Sequence, residues 1–209
     1  MKGQSATGTK EPIRLFKSDF LEFFTHIHPA VILAVWVPVV AGFIAWSALQ
    51  NTPGAWLAIS LSWLAGLVCW SFVEYALHRF IFHFRPRTPR QERLSFLVHG
   101  VHHAQPMVKT RLVMPLVVSV PLAAFFYGLS WLIGSMLLGR PAWGNSFFAG
   151  LVTGYVGYDM LHYSIHHFPL RGPLLSYLRK HHMQHHAVTW DKRFGISSPV
   201  WDRVFGTEP

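Results

Sequence analysis

Residues 55–83 read AWLAISLSWLAGLVCWSFVEYALHRFIFH, an apolar run that ends in a pair of histidines. A membrane-spanning helix needs about 20 mostly apolar residues, and Glu74 is the single charged residue between positions 55 and 77. His78 and His83 follow directly, five positions apart. The stretch therefore predicts a membrane helix that carries histidine side chains at one of its ends.

Three further segments have the same apolar character and are each long enough to cross a bilayer. They are residues 29–49, 112–138 and 142–163. Pro115 and Pro121 interrupt the second of these three, so we expect a kink or a late helix start there. The sequence thus predicts an all-α integral membrane protein with four transmembrane helices.

The basic residues indicate the orientation of these helices, because Lys and Arg concentrate in cytoplasmic loops. Of the 18 Lys and Arg residues, all but Arg140 lie before the first span, between the second and third, or after the fourth. Arg140 lies in the second hairpin turn, and the first turn, residues 50–54, is uncharged. We therefore expect a multi-pass protein with both termini and a histidine-rich helical cap in the cytoplasm.

Composition argues against a soluble domain, since 51% of the residues are hydrophobic and only 13% are charged, against about a quarter charged in soluble domains. The net charge of +9 flanks the apolar segments, so membrane topology explains it and we expect no nucleic-acid partner. The single cysteine, Cys69, excludes an internal disulfide and a thiolate cluster. Any bound metal must therefore use imidazole ligands.

The chain divides into an N-terminal segment, residues 1–28, and a membrane domain, residues 29–209. Residues 1–10 are polar, and we expect no cleaved signal peptide. Residues 13–24, IRLFKSDFLEFF, are amphipathic. This stretch could lie flat at the cytoplasmic membrane interface or pack on the cap, and the sequence leaves both open.

Twelve of the 14 histidines form four motifs at the predicted cytoplasmic ends of spans or in cytoplasmic segments. Residues three or four apart share a helical face, whereas adjacent residues point about 100° apart, so each HH pair can address two metals. The spacing of the first motif fits a helix end or one ligand to each metal. The motifs are His78-x4-His83, His99-x2-His102-His103, His162-x3-His166-His167 and His181-His182-x2-His185-His186.

These imidazoles outnumber the four ligands of one zinc ion, which predicts a two-metal site. Iron, zinc, copper and nickel all suit imidazole, so the ligands do not name the metal. A membrane metal transporter or sensor is the alternative outside enzymes. Transport requires ligands near the middle of the bilayer, and the centres of the predicted spans are almost free of charge and histidine.

The four motifs, in this order, resemble the fatty acid hydroxylase superfamily, which includes the sterol desaturases. The resemblance is closest to the fatty acid 2-hydroxylases that act on sphingolipid acyl chains, and it extends over nearly the whole chain from Pro12. Stretches similar to that branch are RLFKSDFL at 14–21, RLVMP at 111–115, GYVGYD at 154–159, FGISS at 194–198 and WDRVFG at 201–206.

This resemblance implies a membrane di-iron oxygenase that hydroxylates a lipid acyl chain at C2 of a fatty acid or of a ceramide acyl group. Another lipid oxidation of the superfamily, on a sterol, carotenoid or alkyl lipid, is the alternative enzyme. The implied ligands are His78, His83, His99, His102, His103, His162, His166, His182, His185 and His186.

Other histidines and two carboxylates lie near the motifs or outside them. His167 is expected next to the metals without binding them, and His181, His26 and His28 are not expected to be ligands. Asp159 precedes His162 by three residues and Glu74 precedes His78 by four. Either carboxylate could orient a ligating imidazole by accepting a hydrogen bond from its second N–H.

The implied cofactors are two iron ions, with zinc able to occupy the same imidazoles in purified protein. Eukaryotic 2-hydroxylases carry an N-terminal cytochrome b5 domain, and about two dozen residues before the first span are too few for one. The expected partners are therefore a lipid substrate, O₂ and a separate electron-donor protein of the cytochrome b5 or ferredoxin type.

Overall fold

The computed structural model describes residues 11–50 and 55–209, so the predictions made for residues 1–10 and for the turn at 51–54 lie outside the described residues. The described parts of the chain form nine α-helices without β-strands, which confirms the all-α prediction. Three π-helical turns adjoin these helices directly, at Leu77–Phe82, Phe96–Gly100 and Leu132–Leu137. The α-helices are α1 (Asp19–Phe23), α2 (Pro29–Leu49), α3 (Trp56–Ala76), α4 (Pro89–Ser95), α5 (Val101–Ala104), α6 (Leu116–Trp131), α7 (Pro141–His167), α8 (Pro173–Ala187) and α9 (Val200–Val204).

Within residues 11–50 and 55–209, three helices are long and apolar enough to cross a membrane: α2, α3 with its π-helical continuation, and α6 with its own. Their outer faces carry large exposed apolar side chains such as Leu57 and Phe125, as expected for helices solvated by lipid. Helix α6 begins at Leu116, directly after Pro115. The late start predicted from the prolines is therefore confirmed.

The fourth predicted span, residues 142–163, lies within α7, a helix of 27 residues. At 1.5 Å per residue it is about 40 Å long, enough to cross a bilayer. Its hydropathy is lower than that of the three apolar helices, because it carries polar residues such as Asn145, Asp159 and His162. Most of α7 is buried against α2, α3 and α6, so it occupies the centre of the bundle.

Glycines allow α3 and α7 to approach at backbone contact, the small-residue packing common between membrane helices. A Cβ on Gly66 would lie 2.0 Å from the carbonyl oxygen of Phe147, and one on Gly150 would lie 1.9 Å from that of Trp63. In the C-terminal half of α7, the ring of Tyr155 contacts the rings of Trp36 and Trp70 edge-on. This packing holds the C-terminal half of α7, which carries histidines, against the C-terminal part of α3.

The amphipathic N-terminal stretch packs on the chain that precedes α6, in agreement with one of its two predicted alternatives. The Ile13 N–H donates to the side chain of Gln105 (2.8 Å). The buried Arg111 guanidinium donates to the Glu22 carboxylate and to the carbonyl of Ile13. On the outer side, Phe20 and Phe23 are 71% and 73% exposed.

Replacing Gly150 by Ala is expected to destabilise the bundle by about 1 to 3 kcal/mol, because the new methyl group forces α3 away from α7. Thermal unfolding of the purified protein in detergent measures the effect. Gly157→Ala is the matched control, since no atom lies within 4 Å of a Cβ there. Equal melting temperatures of the two variants would show that the close approach does not matter.

Candidate metal centre

The ten predicted ligands converge in two groups of five imidazoles. Within each group, one ring nitrogen from every histidine lies within 4.8 Å of the others. Most of these side chains are buried. The first group contains His78, His83, His99, His103 and His185, and the second contains His102, His162, His166, His182 and His186.

A π-helical turn explains the spacing of the first motif. The His83 N–H donates to the carbonyl of His78 (3.0 Å), the i→i+5 bond that defines a π-helix. Residues five apart are thereby brought onto nearly the same face, and both imidazoles join the first group. His83 directly follows the end of this turn, in agreement with the helix-end alternative, and the grouping favours ligation of one metal by both residues.

Adjacent histidines divide between the groups, as their angular separation on a helix predicts. His103 belongs to the first group and His102 to the second, and the same division separates His185 from His186. The rings of His103 and His186 stack at a centroid distance of 4.1 Å. The two groups are therefore in direct contact through these two rings.

The second group is built from α7, α8 and α5. His162 and His166 are one turn apart on α7, as are His182 and His186 on α8. The Nε2 atom of His182 lies 3.0 Å from that of His162 and 2.9 Å from that of His166. The Nε2 atom of His102 lies 3.0 Å from that of His162.

In the first group, two hydrogen bonds establish which ring nitrogen is free. Nδ1–H of His78 donates to the carbonyl of Phe194 (2.5 Å), and Nδ1–H of His185 donates to that of Lys192 (2.6 Å). Each neutral ring therefore presents the lone pair of Nε2 to the group. Nε2 of His78 lies 3.1 Å from Nε2 of His99, and Nε2 of His185 lies 3.0 Å from Nε2 of His83.

These nitrogen–nitrogen distances fit a shared metal ion. Two nitrogens about 2.1 Å from a metal and at right angles to each other lie about 3.0 Å apart, whereas tetrahedral ligands lie about 3.4 Å apart. The donor set of each group therefore fits a divalent transition metal with five or six ligands. Imidazole-only sites of this kind are typical of iron, zinc, copper or nickel.

Burial keeps the rings in the neutral form that binds metal. Desolvation, reinforced by neighbouring histidines, holds the pKa of His99, His102 and His182 well below the ordinary value. Desolvation also lowers the pKa of His83 to about 3 and that of His186 to about 3. At neutral pH these imidazoles are uncharged and their lone pairs are available.

The carboxylates expected to orient imidazoles hydrogen-bond to backbone groups instead. Asp159 accepts from the Met114 N–H (3.2 Å). Glu74 accepts from the N–H groups of Ile196 (2.6 Å) and Ser197 (2.7 Å). Glu74 thus acts on the chain beside Phe194, whose carbonyl orients His78, and its influence on the imidazole is indirect.

The remaining histidines lie outside both groups. The ring of His167 packs on Tyr163 at a centroid distance of 4.6 Å. His28 caps α2, accepting from the Ala30 N–H (3.2 Å). His26 contacts Thr110 and Arg111.

The sequence did not reveal the role of Asp202, a buried carboxylate that faces His181 with 3.2 Å between Oδ2 and Nε2. Burial raises the pKa of Asp202, but hydrogen bonds from His181, Thr207 and two backbone N–H groups outweigh it, and the net pKa is lower than usual. The stretch WDRVFG contains Asp202, but its residues do not indicate which donors this carboxylate meets. The physical role of this aspartate required tertiary contacts.

An apolar cavity of about 450 Å³ opens beside the histidines. His99, His102 and His162 are among the residues that line it, so it contacts both groups. The cavity has a size typical of sites for small organic ligands. Its lining also includes the partly exposed apolar side chains of Leu21, Phe24, Val98, Val117 and Val118.

Comparison with known proteins identifies the family of this chain. The family model for fatty acid hydroxylase matches residues 63–207. The chain belongs to the fatty acid hydroxylase family. It is therefore an oxidoreductase that hydroxylates lipid, as the resemblance of the four motifs predicted.

Two relatives show how far the similarity extends. The dihydroceramide fatty acyl 2-hydroxylase FAH2 of Arabidopsis thaliana is 35% identical over 200 residues, covering 94% of this chain and 80% of the relative. The fatty acid 2-hydroxylase of Homo sapiens is 35% identical over 216 residues, covering 94% of this chain and 56% of the relative.

A solved structure, the hydroxylase domain visible in full-length scs7p, superposes with a TM-score of 0.80 at 37% identity, over 90% of this chain and 69% of that one. The ceramide very long chain fatty acid hydroxylase SCS7 of Saccharomyces cerevisiae is 38% identical, and the match covers 48% of its length. The family fold therefore extends over nearly all of the present chain.

Purified active protein is expected to contain two metal ions per chain, one for each group of five imidazoles. Two-metal enzymes commonly hold their ions about 3.5 to 4 Å apart. We expect a separation of about 3.5 to 6 Å or slightly more, with the lower bound taken from such enzymes. Elemental analysis gives the stoichiometry. One ion per chain at full activity would contradict a two-metal centre, whereas two zinc ions in an overexpressed sample would not exclude iron in the cell.

Proposed function

We propose that this protein is an O₂-dependent di-iron hydroxylase that acts at C2 of the acyl chain of a fatty acid or ceramide. The observation that carries the proposal is the apolar cavity whose lining includes histidines of both groups. The names of the relatives, a dihydroceramide fatty acyl 2-hydroxylase and a fatty acid 2-hydroxylase, support the substrate and the position. An acyl chain matches the lining, because apolar surface favours hydrocarbon over water.

Iron is supported by the reaction class and by the donor geometry. Zinc has no redox chemistry, and its structural sites are usually tetrahedral, whereas each group here offers five imidazoles at right-angle spacing. Bound iron would supply the activation of O₂, which amino-acid side chains lack. One oxygen atom enters a C–H bond, and the other leaves as water after the uptake of two electrons and two protons.

In this proposal the residues of the cavity contact the hydrocarbon, position the acyl carbonyl and exclude bulk water. Val113 and Val117 line the cavity and would contact the hydrocarbon. Tyr158 and Asp159 contribute polar side chains to the same lining and would lie beside the acyl carbonyl. This placement brings C2 toward the metals and keeps bulk water away from the reacting carbon.

Arg111 also borders the cavity, but its guanidinium already donates to Glu22 and to the Ile13 carbonyl. We therefore assign it to holding the N-terminal wall of the cavity rather than to binding a lipid head group. The electrons come from a separate donor protein, of the cytochrome b5 or ferredoxin type.

Two alternatives remain as outcomes of the test. A sterol, carotenoid or alkyl-lipid oxidase would use the same histidines with a different substrate. A metal transporter or sensor would use them without O₂, but both groups lie near helix ends and not at the middle of the spans, which argues against transport.

Replacing His102 or His185 by Ala is expected to reduce hydroxylation by at least about 100-fold, because each variant removes a ligand from one group. The assay supplies iron-loaded protein in lipid vesicles with ceramide, O₂ and a reduced donor, and mass spectrometry locates the added oxygen. His28→Ala is the control, as His28 only caps α2. The ligand assignment fails if His28→Ala loses activity while both ligand variants keep it.

The same assay tests the substrate. A product that carries its hydroxyl at C2 supports the proposal. Oxygen at another position, or turnover of sterol in place of ceramide, would assign the protein to another reaction of the family. Absence of O₂ consumption with every lipid, together with metal-dependent transport into vesicles, would favour the non-enzymatic alternative.

We also propose that α7 is the fourth transmembrane helix and that both termini and the histidine-rich cap face the cytoplasm. A reporter active only in the cytoplasm should work when fused after Pro209 and fail when inserted at Pro53. The physical reason is the concentration of Lys and Arg on one side of the bilayer. A C-terminus outside the cytoplasm would contradict the proposed topology.

A further inference from the structure

The two histidine groups differ in how their second ring nitrogens are satisfied. In the first group, Nδ1–H of His78 and of His185 each donate to a backbone carbonyl. In the second group, four Nδ1 atoms are buried and have no hydrogen-bond partner among the described residues. These four belong to His102, His162, His166 and His182. The chain therefore orients the ligands of the two groups by different means.

Both accepting carbonyls, those of Lys192 and Phe194, belong to one segment, residues 192–207, which we call the C-terminal clamp. The clamp contains one short helix, α9. Two buried carboxylates, Glu74 and Asp202, hold its backbone. The conformation of the clamp therefore depends on polar contacts as well as on the burial of Phe194 and Ile196.

Asp202 accepts four hydrogen bonds and is the central contact of the clamp. Oδ1 accepts from the Phe194 N–H (2.8 Å) and from the Thr207 hydroxyl (2.7 Å). Oδ2 accepts from the Gly195 N–H (2.8 Å) and faces Nε2 of His181 at 3.2 Å. The hydrogen bond to the Phe194 N–H holds the same residue whose carbonyl accepts the hydrogen bond from Nδ1–H of His78.

The local backbone leaves little room for another arrangement. Arg193 has a φ of 59°, a conformation that non-glycine residues rarely adopt. A Cβ on Gly195 would lie 2.0 Å from the Ser198 carbonyl oxygen and 2.9 Å from Oδ2 of Asp202. The turn around Asp202 thus has a specified shape, and strain of this kind persists only where the surroundings enforce it.

The second group relies on regular helices instead. His162 and His166 project from α7, which is buried in the bundle, and His182 and His186 project from α8. Of these four, none donates its Nδ1 proton to the C-terminal clamp. Loss of the clamp should consequently affect the first group much more than the second.

We infer that Asp202 is a positioning residue for the first metal, acting through the C-terminal clamp on His78 and His185, and that the second metal is held independently of it. The inference rests on the proposed two-metal centre. Removing the groups that orient metal-ligating histidines typically weakens metal affinity by about 10- to 100-fold. Asp202→Asn should do so at one of the two sites, because an amide N–H₂ cannot accept from the Gly195 N–H or from His181.

Cobalt binding to the purified, metal-depleted full chain in detergent tests this selectivity. Wild type should bind two Co²⁺ ions, and Asp202→Asn should bind one with unchanged affinity and the other about 10- to 100-fold more weakly. His185→Ala and His166→Ala give the reference spectra for loss from the first and second groups. The ion that remains in Asp202→Asn should have the spectrum of the ion that remains in His185→Ala.

Double variants locate the weakened site. Asp202→Asn with His185→Ala should bind cobalt as His185→Ala alone does, whereas Asp202→Asn with His166→Ala should bind its remaining ion about 10- to 100-fold more weakly than His166→Ala alone. Gly195→Ala disturbs the clamp by a different route and should reproduce the effect of Asp202→Asn. Glu208→Gln is the matched control, since this carboxylate contacts Tyr177 and Arg203 at the surface and should leave both ions bound.

Gel filtration and thermal unfolding establish that each variant is folded. Two unchanged affinities in folded Asp202→Asn, or equal weakening at both sites, would overturn the inference. Misfolding of Asp202→Asn together with normal binding of both ions by folded Gly195→Ala would also overturn it. A wild type that binds fewer than two ions would instead overturn the proposed two-metal centre, and the inference with it.

Discussion

Ten imidazole rings meet in the interior of this protein with their nitrogens about 3 Å apart, and the rest of the architecture serves that convergence. Lone pairs at such distances repel one another unless protons or cations lie between them. Burial disfavours protonation, as the low pKa values of His83 and His186 show. His78 and His185 donate their Nδ1–H groups to backbone carbonyls, so their Nε2 atoms carry no proton. The proposed metal ions would satisfy these lone pairs and would also stabilise the fold that presents them.

The helical bundle supplies the rigidity that this convergence requires. Helix α7 lies at its centre, with glycines that admit the backbone of α3. The same helix then continues into His162 and His166. A side chain on a tightly packed helix loses little further entropy when it binds a metal, since its backbone is already ordered. The cavity beside these histidines is bounded by α6 and by the N-terminal stretch, so substrate and metal ligands share the same structural support.

The two groups combine different kinds of support. Helical geometry arranges most ligands of the second group, whereas the first group also uses a π-helical turn and the carbonyls of Lys192 and Phe194. Those carbonyls are positioned by Glu74 and Asp202, which lie far from each other in the chain. The orientation of His78 and His185 thus depends on two carboxylates that lie outside both histidine groups.

The sequence by itself determined the helical class, the apolar segments and the ten histidines, because helical periodicity and hydrophobic length are local properties of the chain. It also predicted that HH pairs divide between two sites, since adjacent residues diverge by about 100°. Tertiary structure decided the partition of His78 and His83, because a π-helical turn is not evident from spacing alone. It likewise decided the partners of Asp159, Glu74 and Asp202. A carboxylate accepts whichever donors the fold brings near it, and those donors are separated from it by up to 123 positions in the sequence.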